Sequence, residues 1–310
     1  MARYLVTGGA GFIGSHVVDA LLDDGHSVRV VDDLSSGSLA NVPTAEKCEF
    51  INRDLAEPGV AESVVDGVTW VIHLAAIPSV PRSVVEPARS HRANVEATHA
   101  LLLAARAAGI QRVVQASSSS VYGESEELPK TEAMRVQPVS PYGLHKLIGE
   151  QYAMLFDRLY GLETVSLRFF NVFGPRQSPT SQYSGVISLF IERLLSGTAP
   201  TIYGDGEQTR DFTYVSDVSQ AILNACVSPN VAGRVVNVAR GGRTSINALY
   251  GMLQKITGVM VSAKHGDERA GDIRHSQADV TLAQQLLSFV PNVSIEKGLI
   301  RTVEWQRSTR

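Results

Sequence analysis

The chain of 310 residues carries 44% hydrophobic and 19% charged side chains, enough to bury a full core and too little charge for a disordered polymer; its length suggests about two domains. The net charge of −3 comes without a block of like charges, so nucleic-acid binding is not expected. Two cysteines, Cys48 and Cys226, exclude a disulfide framework and a four-thiolate metal site.

The apolar stretch at Tyr4-Leu5-Val6 is too short for a signal peptide, and nowhere do about 18 apolar residues run together, so no membrane contact and a cytoplasmic location are expected. From there, short β-branched runs alternate with glycine-punctuated amphipathic stretches. Strands are predicted over residues 3–7, 28–32, 49–52, 69–73, 112–117 and 163–168. Strands alternating with helices predict a doubly wound α/β fold, a parallel sheet covered on both faces. A helix is predicted over 93–108, rich in Ala and Leu with Gly109 past its end. Another opens at Ser140-Pro141, a capping residue followed by a proline at the first helical position. In it Leu144, Leu147, Ile148, Tyr152, Leu155 and Leu159 form a helical stripe, with Met154 and Phe156 off it; the extra apolar surface is either a partner-facing patch or a broad core-facing stripe. After about residue 172 Gly, Pro, Ser and Thr rise, and a smaller, loop-rich second region is expected.

The first strand runs into Thr7-Gly8-Gly9-Ala10-Gly11-Phe12-Ile13-Gly14, a Gly-x-Gly-x-x-Gly turn that opens a helix. Glycines at Gly8, Gly11 and Gly14 permit a tight turn and close approach of a pyrophosphate to the helix N-terminus around Phe12 and Ile13. The second strand ends at Asp32, about twenty residues on, where a dinucleotide fold places an acid on the adenosine ribose; a one-residue slip would give that role to Asp33. A 2′-phosphate about 4 Å from this carboxylate would cost about 1 to 4 kcal/mol, so NAD is preferred over NADP. Asp54-Leu55, after the third strand, is placed to meet the adenine edge.

Tyr142 and Lys146 share a face in the first turns of the second helix, which follows the hydroxyl-rich run Ser117-Ser118-Ser119-Ser120 at the end of a parallel strand. A nearby ammonium favours the phenolate of a tyrosine whose reference pKa is about 10. The eight histidines offer no metal-ligand spacing, and no metal is expected.

With the glycine turn, Asp32, Asn94, the serine loop, Tyr-x-x-x-Lys and Arg168-Phe169-Phe170-Asn171 in this order, the whole chain resembles the extended short-chain dehydrogenase/reductases (the NAD-dependent epimerase/dehydratase family). Within it the chain looks most like UDP-glucose and UDP-N-acetylglucosamine 4-epimerases, through Ala75-Ala76-Ile77-Pro78-Ser79-Val80-Pro81-Arg82-Ser83, Asn171-Val172-Phe173-Gly174-Pro175-Arg176-Gln177, Gly204-Asp205-Gly206 with Thr209-Arg210-Asp211-Phe212, and Arg269-Ala270-Gly271-Asp272. The resemblance implies an NAD-binding domain over 1–170 plus about 210–238, interleaved with a substrate domain over about 171–209 and 239–310. It implies that Leu74, Ala75, Ala76, Asn94 and Phe169 join the cofactor site, with Tyr142, Lys146, Ser118 and Ser119 catalytic. Ser79, Asn171, Arg210, Arg269, Asp272 and Ser276 would meet a UDP-sugar, and a homodimer is implied.

The implied reaction oxidises the sugar 4-hydroxyl and reduces the 4-ketone from its other face. Family dehydratases follow the catalytic hydroxyl residue with an acidic pair, and glucuronate decarboxylases keep a Glu there; Ser119 and Ser120 stand at those positions. Glucuronate 4-epimerases carry a second Arg where Ser178 stands, although Arg82 and Arg176 remain candidates for a carboxylate. Pro78 stands where galactose epimerases carry a Lys. Ser276 occupies the position where a small residue leaves room for a 2-acetamido group. The rival expectations are a UDP-glucuronate 4-epimerase, a 4-ketoreductase exchanging with free cofactor, and a non-catalytic NAD-binding regulator.

Overall fold

The computed structural model describes residues 2–179, 185–268 and 273–310. Its main sheet has seven strands: β1 (Arg3–Thr7), β2 (Ser27–Asp32), β3 (Cys48–Asn52), β4 (Trp70–His73), β5 (Arg112–Ser118), β6 (Glu163–Phe169) and β7 (Arg234–Val238). They lie in the order β7-β6-β5-β4-β1-β2-β3, and every pairing is parallel. The order reverses between β1 and β4, which opens a crevice at the carboxyl ends of those strands. β2 lacks clean alternation because Val28, Val30 and Val31 are buried with both faces of the sheet covered, and Arg29 between them is buried against Glu49 and the Val64 and Asp66 carbonyls.

The helices are α1 (Phe12–Asp23), α2 (Val60–Val65), α3 (Val80–Val85), α4 (Pro87–His91), α5 (Ala97–Ala107), α6 (Pro141–Tyr160), α7 (Val186–Leu195), α8 (Val215–Val227), α9 (Ile246–Thr257), α10 (Thr281–Leu287) and α11 (Ile295–Ser308). One face of the sheet packs on α1, α8 and α10, through Val17, Leu21, Val218, Ile222 and Leu287. The other packs on α2, α5 and α6, through Val64, Leu101, Leu102 and Phe156. A separate core joins α7, α9 and α11 through Phe190, Leu253 and Leu299, with Phe173 and Phe212 from the connecting segments. Phe12 and Ile13 pack against that second core, so the start of α1 sits between the two. Residues 281–289 pack with the sheet and not with the second core.

Two helices differ from their sequence patterns. The segment expected to be one helix over 93–108 begins with a π-helical turn, Arg92–Glu96, before α5. The wide turn turns Asn94 inward, where its Oδ1 accepts from Ile77 N at 2.7 Å and its Nδ2 donates to Ile77 O at 3.2 Å. In α6 the apolar stripe is only partly buried, with Leu147 and Tyr152 packed inward. Leu144, Leu155 and Leu159 are exposed, while His145, Gly149, Glu150, Ala153 and Phe156 face inward. Small residues allow close approach to β5, where Gln115 Nε2 donates to Gly149 O at 2.9 Å, and His145 and Glu150 have buried partners. Hydropathy spacing does not register either device.

Candidate active site

The turn between β1 and α1 has two glycines that the fold itself requires. Gly8 has φ +71°, and a Cβ there would lie 2.7 Å from Ala75 N; a Cβ on Gly14 would lie 2.1 Å from Gly8 O. Gly11 differs, because its Cβ would meet only Gly8 O, at 3.1 Å, and otherwise project into open space. Gly11 caps α1, whose first N–H groups have no intrahelical acceptor. Gly8, Gly11, Phe12, Ile13 and Gly14 all line a cleft of about 1130 Å³ at the carboxyl edge of the sheet.

Asp32 closes β2 beside this turn. Its Oδ2 accepts from Ala10 N at 3.0 Å and its Oδ1 from Leu34 N at 2.8 Å. Burial pushes the carboxyl above its ordinary pKa, and these backbone N–H groups pull against that shift. Asp33 is exposed and turns its Oδ1 to Ser35 N. Both line the cleft, as do Asp54, Leu55, Leu74, Ala75 and Ala76. Asp54 is also ion-paired to Arg92 at 3.0 Å. Asn94 is buried, spends its amide on Ile77 and is absent from the lining, so its contribution to the site is to hold the 74–79 loop.

At the other end of the cleft, α6 starts where Ser140 Oγ accepts from Gly143 N at 3.1 Å. Tyr142 is fixed at its backbone by donation to Ser83 Oγ, 3.0 Å away. Its phenol is pushed up to about 12 by burial, against which a hydrogen bond with Ser118 works. Lys146 Nζ donates to Ala116 O at 2.9 Å and lies 6.0 Å from the centre of the Tyr142 ring. Burial lowers this ammonium to about 8, and the Glu150 carboxylate opposes the shift. Ser118 Oγ accepts from Ser120 N and donates to Ser120 Oγ, which fixes the loop after β5. A phenol, a hydroxyl and an ammonium thus converge in the cleft that the glycine turn also lines. The set suits proton transfer to or from a substrate hydroxyl beside a redox cofactor.

The model of the NAD dependent epimerase/dehydratase family matches residues 4–239. The chain belongs to that family. It is 41% identical to a UDP-glucose 4-epimerase of Mycolicibacterium smegmatis, over 99% of each chain. It is 42% identical to a UDP-N-acetylglucosamine 4-epimerase from Methanobrevibacter ruminantium solved with UDP-N-acetylmuramic acid, at a TM-score of 0.96 over 100% of this chain and 99% of that one. It is 40% identical to the UDP-glucose 4-epimerase of Thermotoga maritima solved with UDP-glucose, at a TM-score of 0.95 over 99% of each.

Family membership makes NAD the cofactor, and the residues present fit it: the side of Gly11 that a Cβ would fill is open for a pyrophosphate, and Asp32 faces the same turn. The remaining residues expected at the site divide into three groups. Ser79, Ser119, Phe169 and Asn171 line the cleft, with Ser79 also capping α3 through Arg82 N. Arg210 and Ser276 meet outside that lining, where Ser276 N donates to Thr209 O at 3.1 Å and Arg210 Nη1 donates to Thr209 O at 2.9 Å. Arg269 and Asp272 lie outside the described residues.

Sequence reasoning passed over the 35–38 loop, which lines the cleft after Asp32 and folds onto the glycine turn through Ser38 N and Asn41 Nδ2, both donating to Ala10 O. Its serines and Gly37 were the available signal. No group of three or more potential metal ligands occurs among the described residues, and no helix among them is long and apolar enough to cross a membrane.

Proposed function

We propose that this epimerase/dehydratase family member interconverts UDP-hexoses at C4, taking UDP-glucose or its N-acetylated counterpart. The observation that carries the reading is the convergence of Tyr142, Ser118 and Lys146 at a loop continuing in Ser119 and Ser120, which supplies proton transfer but no acid for an elimination. The high identity to 4-epimerases supports the same conclusion.

NAD, when bound, supplies reversible two-electron oxidation at the sugar carbon. The protein supplies orientation and proton transfer. Ser118 Oγ hydrogen-bonds the sugar 4-oxygen, and Tyr142 Oη takes the 4-hydroxyl proton and returns it. Burial favours the protonated phenol, so the Lys146 ammonium and the positive nicotinamide must favour the phenolate when the ternary complex forms. Asp32, Asp33 and the α1 N-terminus hold the adenosine and pyrophosphate end, with Asp54, Leu55 and Leu74 to Ala76 along the cleft. Ser79 and Asn171 face the sugar and phosphate, while Arg210, Arg269 and Asp272 take the UDP portion and Ser276 leaves room for an acetamido group.

In this reading residues 1–170 and about 210–238 form the NAD-binding domain and most of the rest the substrate domain. Leu144, Leu155 and Leu159 of α6, with Leu103 of α5, are exposed apolar residues suited to a homodimer. The cytoplasm, where nucleotide sugars are made, is the expected compartment. A hexuronate is the second reading, because Arg82 and Arg176 line the same cleft. Denaturing the purified protein to identify released cofactor, then following UDP-glucose, UDP-GlcNAc and UDP-glucuronate by NMR, tests the proposal. Net NADH production without C4 inversion would refute it.

A further inference from the structure

Behind Tyr142 and Lys146 lies a buried set of charges that the proton transfer described above does not use. Glu150 stands one turn further along α6, so the three side chains follow at four-residue spacing on one side of the helix. Glu150 is 0% exposed and Arg168 4%. Arg168 donates from Nε to Oε1 and from Nη2 to Oε2, both at 2.8 Å, and Ser117 Oγ donates to the same Oε1. The guanidinium lies 4.7 Å over the Tyr122 ring. Ser117 and Arg168 are register partners on β5 and β6, and each is followed directly by a cleft residue, Ser118 or Phe169. One carboxylate therefore ties the helix of the Tyr-Lys pair to the ends of both strands that complete the site.

A buried ion pair is weak support for stability, since an apolar pair of similar volume often serves as well. Its position beside Lys146 suggests a different use. The ionisable groups around that ammonium are Tyr142, His145 and Glu150 on α6, His73 on β4 and, beyond Glu150, Arg168 on β6, while β5 offers the Ala116 carbonyl. Glu150 is the carboxylate among them.

We propose that Glu150 is a positioning residue for the Tyr142–Lys146 pair: its carboxylate anchors α6 to β5 and β6 and supplies the negative charge against which the Lys146 ammonium is held. The proposal rests on reading Tyr142 and Lys146 as the catalytic pair, but it can be measured apart from turnover. The chain has six lysines, few enough to follow by 13C NMR of the ε-carbons in the NAD-loaded protein, with Lys146→Arg to assign the signal. Glu150→Gln keeps the shape, removes the charge and leaves Arg168 facing Lys146 with the same sign. The Lys146 titration is expected to fall by about one pH unit or more, and the alkaline limb of kcat to move down with it, while KM stays within about twofold. Glu150→Gln with Arg168→Met removes the guanidinium along with its carboxylate partner and decides the matter if the single variant does not fold; a downward shift is expected there too. An unmoved Lys146 titration in the folded variant overturns the proposal. Failure of the wild type to epimerise UDP-sugars would instead overturn the functional reading and leave this titration result standing.

Discussion

The glycine turn separates two demands, and Gly11→Ala against Gly14→Ala distinguishes them. At Gly11 the backbone has φ −78° and ψ −179°, which any L residue adopts, and the added Cβ meets only Gly8 O at 3.1 Å. The fold gives by a few tenths of an ångström and exchanges a glycine cap for a poor one, a cost of about 1 kcal/mol. At Gly14 the Cβ would sit 2.1 Å from Gly8 O and 2.8 Å from Gly9 Cα, backbone atoms that cannot rotate away, so about 3 kcal/mol or more is expected. At about 1.5 °C per kcal/mol for a chain of this length, thermal unfolding should fall by about 1.5 °C in the first variant and about 5 °C in the second. Cofactor binding should be weakened by Gly11→Ala, because its methyl occupies the approach to the first amides of α1. Forfeiting one charge-assisted hydrogen bond there costs about 2 kcal/mol, a weakening of about thirtyfold in Kd. Thermal scans with and without NAD, and calorimetric titration with NAD, read both quantities. A Gly11→Ala protein that binds NAD like wild type, or that melts as low as Gly14→Ala, would show that the turn is not divided in this way.

Four further outcomes are expected. Tyr142→Phe should lower kcat by about 10²-fold or more while NAD still binds, and a wild-type rate would remove Tyr142 as the base. His73 is fully buried between Thr7 and Thr98 and held down to about 3 by burial, so its contribution to stability is complete above pH 6.5 and is lost as pH falls towards 3. Urea unfolding should therefore show wild type losing about 1.4 kcal/mol per pH unit below 6.5 relative to His73→Gln, and parallel acid limbs would contradict this. Ser276→Tyr should abolish UDP-GlcNAc turnover and keep UDP-glucose turnover; unchanged preference would detach Ser276 from specificity. Leu155→Glu with Leu159→Glu should convert a dimer into a monomer by sedimentation, and an unaltered mass would place any interface elsewhere.

The parts of this molecule that were legible in its sequence are those whose physics is local. A parallel sheet announces itself through apolar runs of strand length, and six of the seven strands were bounded to within a residue or so at each end. The Tyr142–Lys146 spacing and the Gly8 to Gly14 turn are single-element features, and the structure brings both to one cleft. What stayed hidden depends on partners distant in the chain. Asn94 turns away from the cleft because a π turn, invisible to a 3.6-residue period, aims it at Ile77. Glu150 meets Arg168 only because β6 lies beneath α6, so a glutamate on a helix reads as solvent-facing until the sheet is built. The α6 stripe divides for the same reason: Leu147 and Tyr152 pack inward, while glycine, alanine and a paired charge cover the sheet and Leu144, Leu155 and Leu159 remain outside.

That exchange of roles bears on how a chain of net charge −3 takes a polyphosphate. Four cleft-lining arginines are already paired: Arg53 with Glu57, Arg89 with Glu86, Arg92 with Asp54, and Arg176 with Asp19. Surface pairs of this kind hold their partners by about 1 kcal/mol or less. An incoming phosphate, with more charge and more acceptor oxygens than a carboxylate, can therefore compete for such a guanidinium at small cost. The positive charge available to the cleft is thus local, from the amides of α1 and from paired arginines, so the net charge says little about the ligand the cleft selects.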